Sequence, residues 1–255
     1  MFHKVGDRWV HSLSFGAGPR TLVGVAGSFA NWEIWAPTFE RLSPRWRVVG
    51  FDHDGVGQTK VPLDGITHER RVETLLSVLD AHGVDRCVVA GDSSNSTLAV
   101  EAAVRQPGRV EGVVIVNGRL SGFDTAEARR FADGLRSHFE KTLEFFVGVV
   151  FPEPESDHLK RWLADIIMRT GPAAAARIVE SYFDLDLDAL GRELAVPAMV
   201  LHTDQDFVAG TLDDAAATAK TIGGELHVIE GAGHLPLLSR PDAVADALDD
   251  FMRRA

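Results

Sequence analysis

The chain has 255 residues, 45% of them hydrophobic and 25% charged, with a formal charge of −11. These are globular values for a chain long enough to bury its own core, and they exclude fibrous, collagen-like and disordered chains. The acidic balance argues against a nucleic-acid partner, because phosphate backbones repel it. No apolar run reaches the roughly 18 residues that a membrane span needs, so none is expected. Residues 1–7, MFHKVGD, lack the apolar stretch of a secretory signal, and the single cysteine, Cys87, has no partner within the chain. Both point to a reducing, cytoplasmic location.

Short β-branched runs alternate with longer amphipathic ones, the pattern of an α/β sheet. Strands are predicted over 9–15, 21–26, 47–51, 87–91, 113–117, 198–202 and 226–229. Val113-Val114-Ile115-Val116 is a near-continuous apolar run, as expected of a central parallel strand covered on both faces. Helical spacing of Val72, Leu75, Leu76 and Leu79 predicts a helix over 69–82. A second helix is expected over 97–105, and a C-terminal one opens at Pro241-Asp242.

Residues 119–195 break the alternation. Phe131, Leu135, Phe139, Leu143, Phe146 and Val150 recur at about one helical turn, and Pro152 and Pro154 end that helix. Further helices are expected over 158–169 and 172–183. A helical insertion in an α/β pattern predicts a lid. Its phenylalanine stripe is expected to pack on the main domain, with some residues also lining a pocket.

Three segments carry chemistry. In Val88-Val89-Ala90-Gly91-Asp92-Ser93-Ser94-Asn95-Ser96, an apolar strand meets a tight turn and then a helix. This is the setting of a nucleophile elbow with Ser93 at its apex. Asp92 is the competing nucleophile; the family resemblance given below favours Ser93, which at the apex matches Pro107 to the family's proline after the helix. In Val200-Leu201-His202-Thr203-Asp204-Gln205-Asp206, a carboxylate falls at the C-terminal edge of the sheet, where α/β sites gather. Asp204 and Asp206 compete for this role; the family resemblance given below favours Asp206 and leaves an acid near Asp124 as a further alternative. In Glu230-Gly231-Ala232-Gly233-His234, small residues let a histidine reach into a site as general base. Asp52-His53-Asp54 contains metal-ligand types, but adjacent side chains seldom converge on one ion, and no metal is expected.

In chain order the three candidates read Ser93, Asp206, His234. With this order the sequence resembles the α/β-hydrolase superfamily in its lid-bearing form, over nearly its whole length. Gly24-Val25-Ala26-Gly27-Ser28 is similar to the family's strand and His-Gly turn, with Ala26 in place of His. Asp52-His53-Asp54-Gly55-Val56-Gly57-Gln58-Thr59 and Gln106-Pro107-Gly108-Arg109-Val110 resemble two further family loops. Asn95 replaces a usual glycine.

The resemblance implies a mostly parallel central sheet flanked by helices, with a helical lid inserted after the sixth strand. Residues 1–118 and 196–255 would form the core, and 119–195 the lid. It implies that Ser93 attacks an acyl carbonyl, with His234 as base and Asp206 orienting the imidazole. The backbone N–H groups of Ser94 and Ser28, or of Phe29 as the alternative, would hold the oxyanion. No cofactor is implied. Phe29, Trp32 and Phe146 are expected to contact a small, partly apolar ester or lactone, and Trp35 lies in the same stretch. C–C bond hydrolysis, perhydrolysis and small-molecule sensing without turnover are the alternatives within the same fold. The oligomeric state is left open.

Overall fold

The computed structural model describes residues 1–120 and 125–255. Eight strands form one sheet: β1 (Phe2–Val5), β2 (Arg8–Phe15), β3 (Thr21–Val25), β4 (Arg47–Phe51), β5 (Cys87–Asp92), β6 (Val110–Val116), β7 (Ala198–Thr203) and β8 (Glu225–Ile229). Their order is β1-β2-β4-β3-β5-β6-β7-β8. β1 pairs antiparallel with β2 and β2 antiparallel with β4, and the other five pairings are parallel. The seven strands predicted from the sequence are present. β1 is the addition, a four-residue edge strand whose alternation of exposed and half-buried residues is too short to register as a pattern.

Helices cover both faces. α1 (Ala36–Leu42) and α11 (Pro241–Arg254) pack on one, with Trp35, Phe39, Leu248 and Met252 against Leu22, Val48 and Val88. α2 (His68–Ala81), α3 (Ser96–Arg105) and α9 (Leu212–Thr221) cover the other, where Leu75, Leu79, Leu98 and Ala219 meet Val23, Val89 and Val113. The central strands β3, β5 and β7 are therefore buried throughout, which explains their continuous apolar sequence. Local chemistry starts the helices. Thr67 caps α2 by accepting from the Arg70 N–H, Thr211 and Asp214 form a capping box on α9, and Pro241 opens α11.

Between β6 and β7 the described residues form only helices: α4 (Thr125–Ser137), α5 (Phe139–Val150), α6 (Asp157–Met168), α7 (Pro172–Glu180) and α8 (Leu187–Arg192). The phenylalanine stripe, expected as one helix, is two. The chain breaks at His138, whose backbone leaves the helical region, and Phe139 starts α5. Periodicity misses the break because both helices turn their apolar sides to the same cavity. A short helix, α10 (Pro236–Ser239), precedes α11.

Candidate active site

β5 ends at Asp92, and the next residue, Ser93, has φ of +55°. A non-glycine residue in this region is strained, and such strain concentrates at functional sites. The turn closes so tightly that a Cβ on Gly91 would lie 2.6 Å from Ser96 Cα. Glycine is therefore required at 91. Ser96 Oγ donates to the Gly91 carbonyl at 2.9 Å and fixes the start of α3.

Ser93 Oγ lies 2.9 Å from His234 Nε2. His234 Nδ1 lies 2.9 and 3.0 Å from the two carboxylate oxygens of Asp206. With Nδ1–H donating to Asp206, Nε2 is free to accept the Ser93 proton. Asp206 Oδ1 also accepts the N–H groups of Val208 at 2.7 Å and Ala209 at 2.9 Å. Burial pushes the Asp206 pKa up, but His234 and these two N–H groups outweigh it and hold it below the ordinary 3.8. Burial pulls the His234 pKa down, but the Asp206 charge and hydrogen bond outweigh that and hold it above 6.5.

The competing acid, Asp204, does something else. Its Oδ1 accepts the Gly231 N–H at 2.7 Å and braces the loop that carries His234. Asp124 lies outside the described residues. His202 is a buried strand residue whose Nε2 lies 3.3 Å from the Gly210 carbonyl. Asp52, His53 and Asp54 point to separate partners: Asp52 to His11 and the Gln58 N–H, His53 to Asn95, Asp54 to Arg8 and Thr74.

The three side chains open onto a cavity of about 300 Å³. Its polar end carries Gly27, Ser28, Asp92, Ser93, Ser94 and His234, and its apolar lining includes Phe29, Phe131, Phe146, Leu163, Ile167 and Val179. Phe29, Phe131 and Phe146 form a triangle of rings with centroids 5.5–5.9 Å apart. Phe145 and Phe207 also line the cavity, yet are 74% and 72% exposed, so aromatic surface continues to its mouth.

Strand-to-helix elbow, strand-end acid and loop histidine on a mostly parallel sheet are one known arrangement. A family model described as the alpha/beta hydrolase fold matches residues 22–241. The chain belongs to this family. It is 27% identical to a pimeloyl-[acyl-carrier protein] methyl ester esterase of Nitrosospira multiformis, over 98% of this chain and 100% of that protein. It is 22% identical to a Karrikin insensitive 2 receptor of Petunia hybrida, over 91% of this chain and 92% of that one. The crystal structure of an enol-lactonase from Burkholderia xenovorans superposes with a TM-score of 0.91 at 21% identity, covering 99% of this chain and 100% of that one.

Within this α/β-hydrolase, Ser28, Ser94, Phe29 and Phe146 line the cavity. Trp32 does not. The chain forms a 3₁₀ turn over Trp32–Trp35, capped by Asn31, which carries Trp32 toward Gly50, and its backbone N–H donates to Asp52 Oδ1 at 3.3 Å. Trp35 is fully buried and stacks on Phe39 in the core.

Asn95, where the family usually has glycine, has a structural task. Its Nδ2 donates to the Ala26 carbonyl at 2.6 Å and to His53 Nε2 at 3.0 Å, and its Oδ1 accepts from buried Arg71. It ties the elbow to the turn that carries Ser28. Burial lowers the Arg71 pKa to about 10, and Asp54 opposes the shift.

Four further residues at the site belong to none of the sequence motifs. Asn117 Nδ2 donates to the Gly233 and His234 carbonyls at 3.2 and 2.8 Å. Glu153 Oε1 accepts the Gly233 N–H at 2.8 Å. The Tyr182 hydroxyl meets the hydrogen-bonded Ser28–Ser94 pair, and Arg71 backs Asn95. A polar residue ending an apolar strand could have flagged Asn117, and its being the only tyrosine could have flagged Tyr182. Nothing local marks Glu153 or Arg71.

Proposed function

We propose that this protein is a serine hydrolase that cleaves a small, partly apolar ester, lactone or related acyl substrate through an acyl-enzyme intermediate. One observation carries the reading: Ser93 Oγ sits 2.9 Å from an imidazole nitrogen whose other nitrogen is held by a buried carboxylate. A neutral hydroxyl is a poor nucleophile, and this chain activates it.

Ser93 Oγ attacks the carbonyl carbon and passes its proton to His234 Nε2. The carbonyl electron pair moves onto oxygen, which the Ser28 and Ser94 backbone N–H groups receive. Collapse expels the leaving group, which takes the proton back from His234. Water then repeats the sequence on the acyl-enzyme. Asp206 keeps Nε2 as the acceptor and stabilises the transient imidazolium. Residues 119–195 act as the lid, and their aromatic lining favours an apolar acyl or alcohol part. The ester and lactone named for the similar esterase and enol-lactonase agree with this substrate class.

Intact-mass spectrometry after exposure to a fluorophosphonate probe tests the reading. A single adduct is expected on the wild type and none on Ser93→Ala. The same substitution should lower kcat on a responsive ester on the order of 10⁶-fold. A folded wild type that takes no adduct would sink the proposal and leave ligand binding without turnover as the better account.

A further inference from the structure

The cavity holds an ionisable group that this chemistry does not use. Asp92 is 2% exposed, lines the cavity and directly precedes Ser93. Its Oδ2 lies against Gly27. A Cβ on Gly27 would sit 2.5 Å from that oxygen and 3.5 Å from Ser93 Cβ. The carboxyl and the nucleophile thus both lie against the turn that carries Ser28. Its Oδ1 is buried and has no hydrogen-bond partner among the described residues.

An ionised carboxylate in that position would leave a buried charge half unsatisfied, a costly state. The surroundings supply little compensation. His234 and Asp206 face Asp92 from the loops after β8 and β7, one favouring and one opposing its charge, and the Gly27 N–H favours it. His53, from the loop after β4, is held neutral by burial, with the Arg71 charge acting the same way. Tyr182 reaches Ser28 and Ser94 from the turn after α7, and its pKa is raised by burial. Arg119 and Glu127 also line the cavity, but no arginine or lysine forms an ion pair with Asp92 among the described residues. Burial dominates and pushes the Asp92 pKa up to about 7.

We propose that Asp92 is a further catalytic residue, its neutral carboxyl donating a hydrogen bond to the substrate oxygen held between Ser28 and Ser94. This deepens the serine-hydrolase reading and rests on it. As Ser93 Oγ bonds to the carbonyl carbon, the Ser93 proton goes to His234 and the carbonyl electron pair to oxygen. Asp92 keeps its own proton throughout. It adds a third donor to the two backbone N–H groups, as a carboxylic acid held neutral by an apolar site can.

The test follows the rate of fluorophosphonate labelling from pH 5.5 to 9.5 in the wild type, Asp92→Asn and Asp92→Ala. The wild-type rate should rise as His234 loses its proton and fall as Asp92 ionises, the two limbs belonging to the coupled pair. Asp92→Asn keeps a donor that cannot ionise. Its alkaline limb should vanish, so it labels faster than the wild type at pH 9. Asp92→Ala should label about 10²–10³-fold more slowly than Asp92→Asn, the usual effect of one lost oxyanion donor. The same alkaline limb in wild type and Asp92→Asn overturns the proposal. So does Asp92→Asn labelling as slowly as Asp92→Ala, which would mean the site needs the anion. Should Asp92→Ala fail to fold, the wild-type and Asn profiles decide alone. No adduct on wild type fells the hydrolase reading and this proposal together, whereas labelling that ignores position 92 fells only this one.

Discussion

The sheet core and the helical insertion build the candidate site in different ways. The core supplies Ser93, Asp206 and His234 from the ends of β5, β7 and β8, linked by contacts of 2.9–3.0 Å. The insertion supplies apolar lining from Phe131, Phe146, Leu163 and Val179. It also grips the core at a few polar points. The Val150 carbonyl accepts the His234 N–H at 2.9 Å, Glu153 accepts the Gly233 N–H, and Thr170 Oγ1 donates to the Phe29 carbonyl at 2.8 Å. Parallel strands fix backbone positions, and groups at their ends inherit that rigidity. Helices above the sheet edge set shape and exclude water. The division is not complete, because the insertion also holds the histidine loop in place.

The sharpest test on the core side is Asp206→Asn. It keeps the shape but favours the wrong imidazole tautomer, so kcat should fall on the order of 10⁴-fold. A steady-state assay on any ester that the wild type turns over will measure it. The residual activity should also shift its acid limb to lower pH, since the Asp206 charge is what lifts His234 above 6.5. A near-normal kcat would mean that the hydrogen-bonded chain is not the working machinery.

Glu153→Ala asks whether the insertion is more than a cover. The Gly233 N–H would lose its buried acceptor, at a cost of about 1–3 kcal/mol in urea unfolding. Because that N–H adjoins His234, kcat should fall about 10-fold or more as the imidazole loses its alignment. Lost stability with unchanged kcat would return the insertion to a purely covering role.

The smallest expected effect separates two aromatic residues that look alike in sequence. Phe146→Ala opens the apolar lining and should raise KM for a medium-chain ester several-fold, with less effect on a short one, since each buried methylene is worth about 0.8 kcal/mol. Trp32→Ala should leave the ratio of the two KM values unchanged, because Trp32 lies off the cavity. A chain-length effect at Trp32 would mean that substrate runs along a different wall.

Much of this arrangement is legible along the chain. The apolar runs of β5 and β6, the elbow after Gly91 and the glycines around His234 are local signals, each with a local physical cause. Trp32 departs from expectation because four residues of separation from Ser28 says nothing about direction, and a 3₁₀ turn swings it toward β4. The stripe from Phe131 to Val150 looks like one helix because period survives a break when both halves face one cavity. Glu153 and Arg71 give no signal, since a charged residue looks the same in sequence whether solvent or a buried partner receives it.

By itself, then, the sequence determined what depends on neighbours along the chain: strand and helix type, the strained serine turn, and the order of serine, acid and histidine. The tertiary structure alone decided what depends on convergence. It brought the Asp206 carboxylate to His234 and turned Asp204 to Gly231, joined Asn95 to Ala26 across 69 residues, and buried an unpartnered carboxyl oxygen of Asp92. Such choices rest on distances and desolvation, and those exist only once the strands lie side by side.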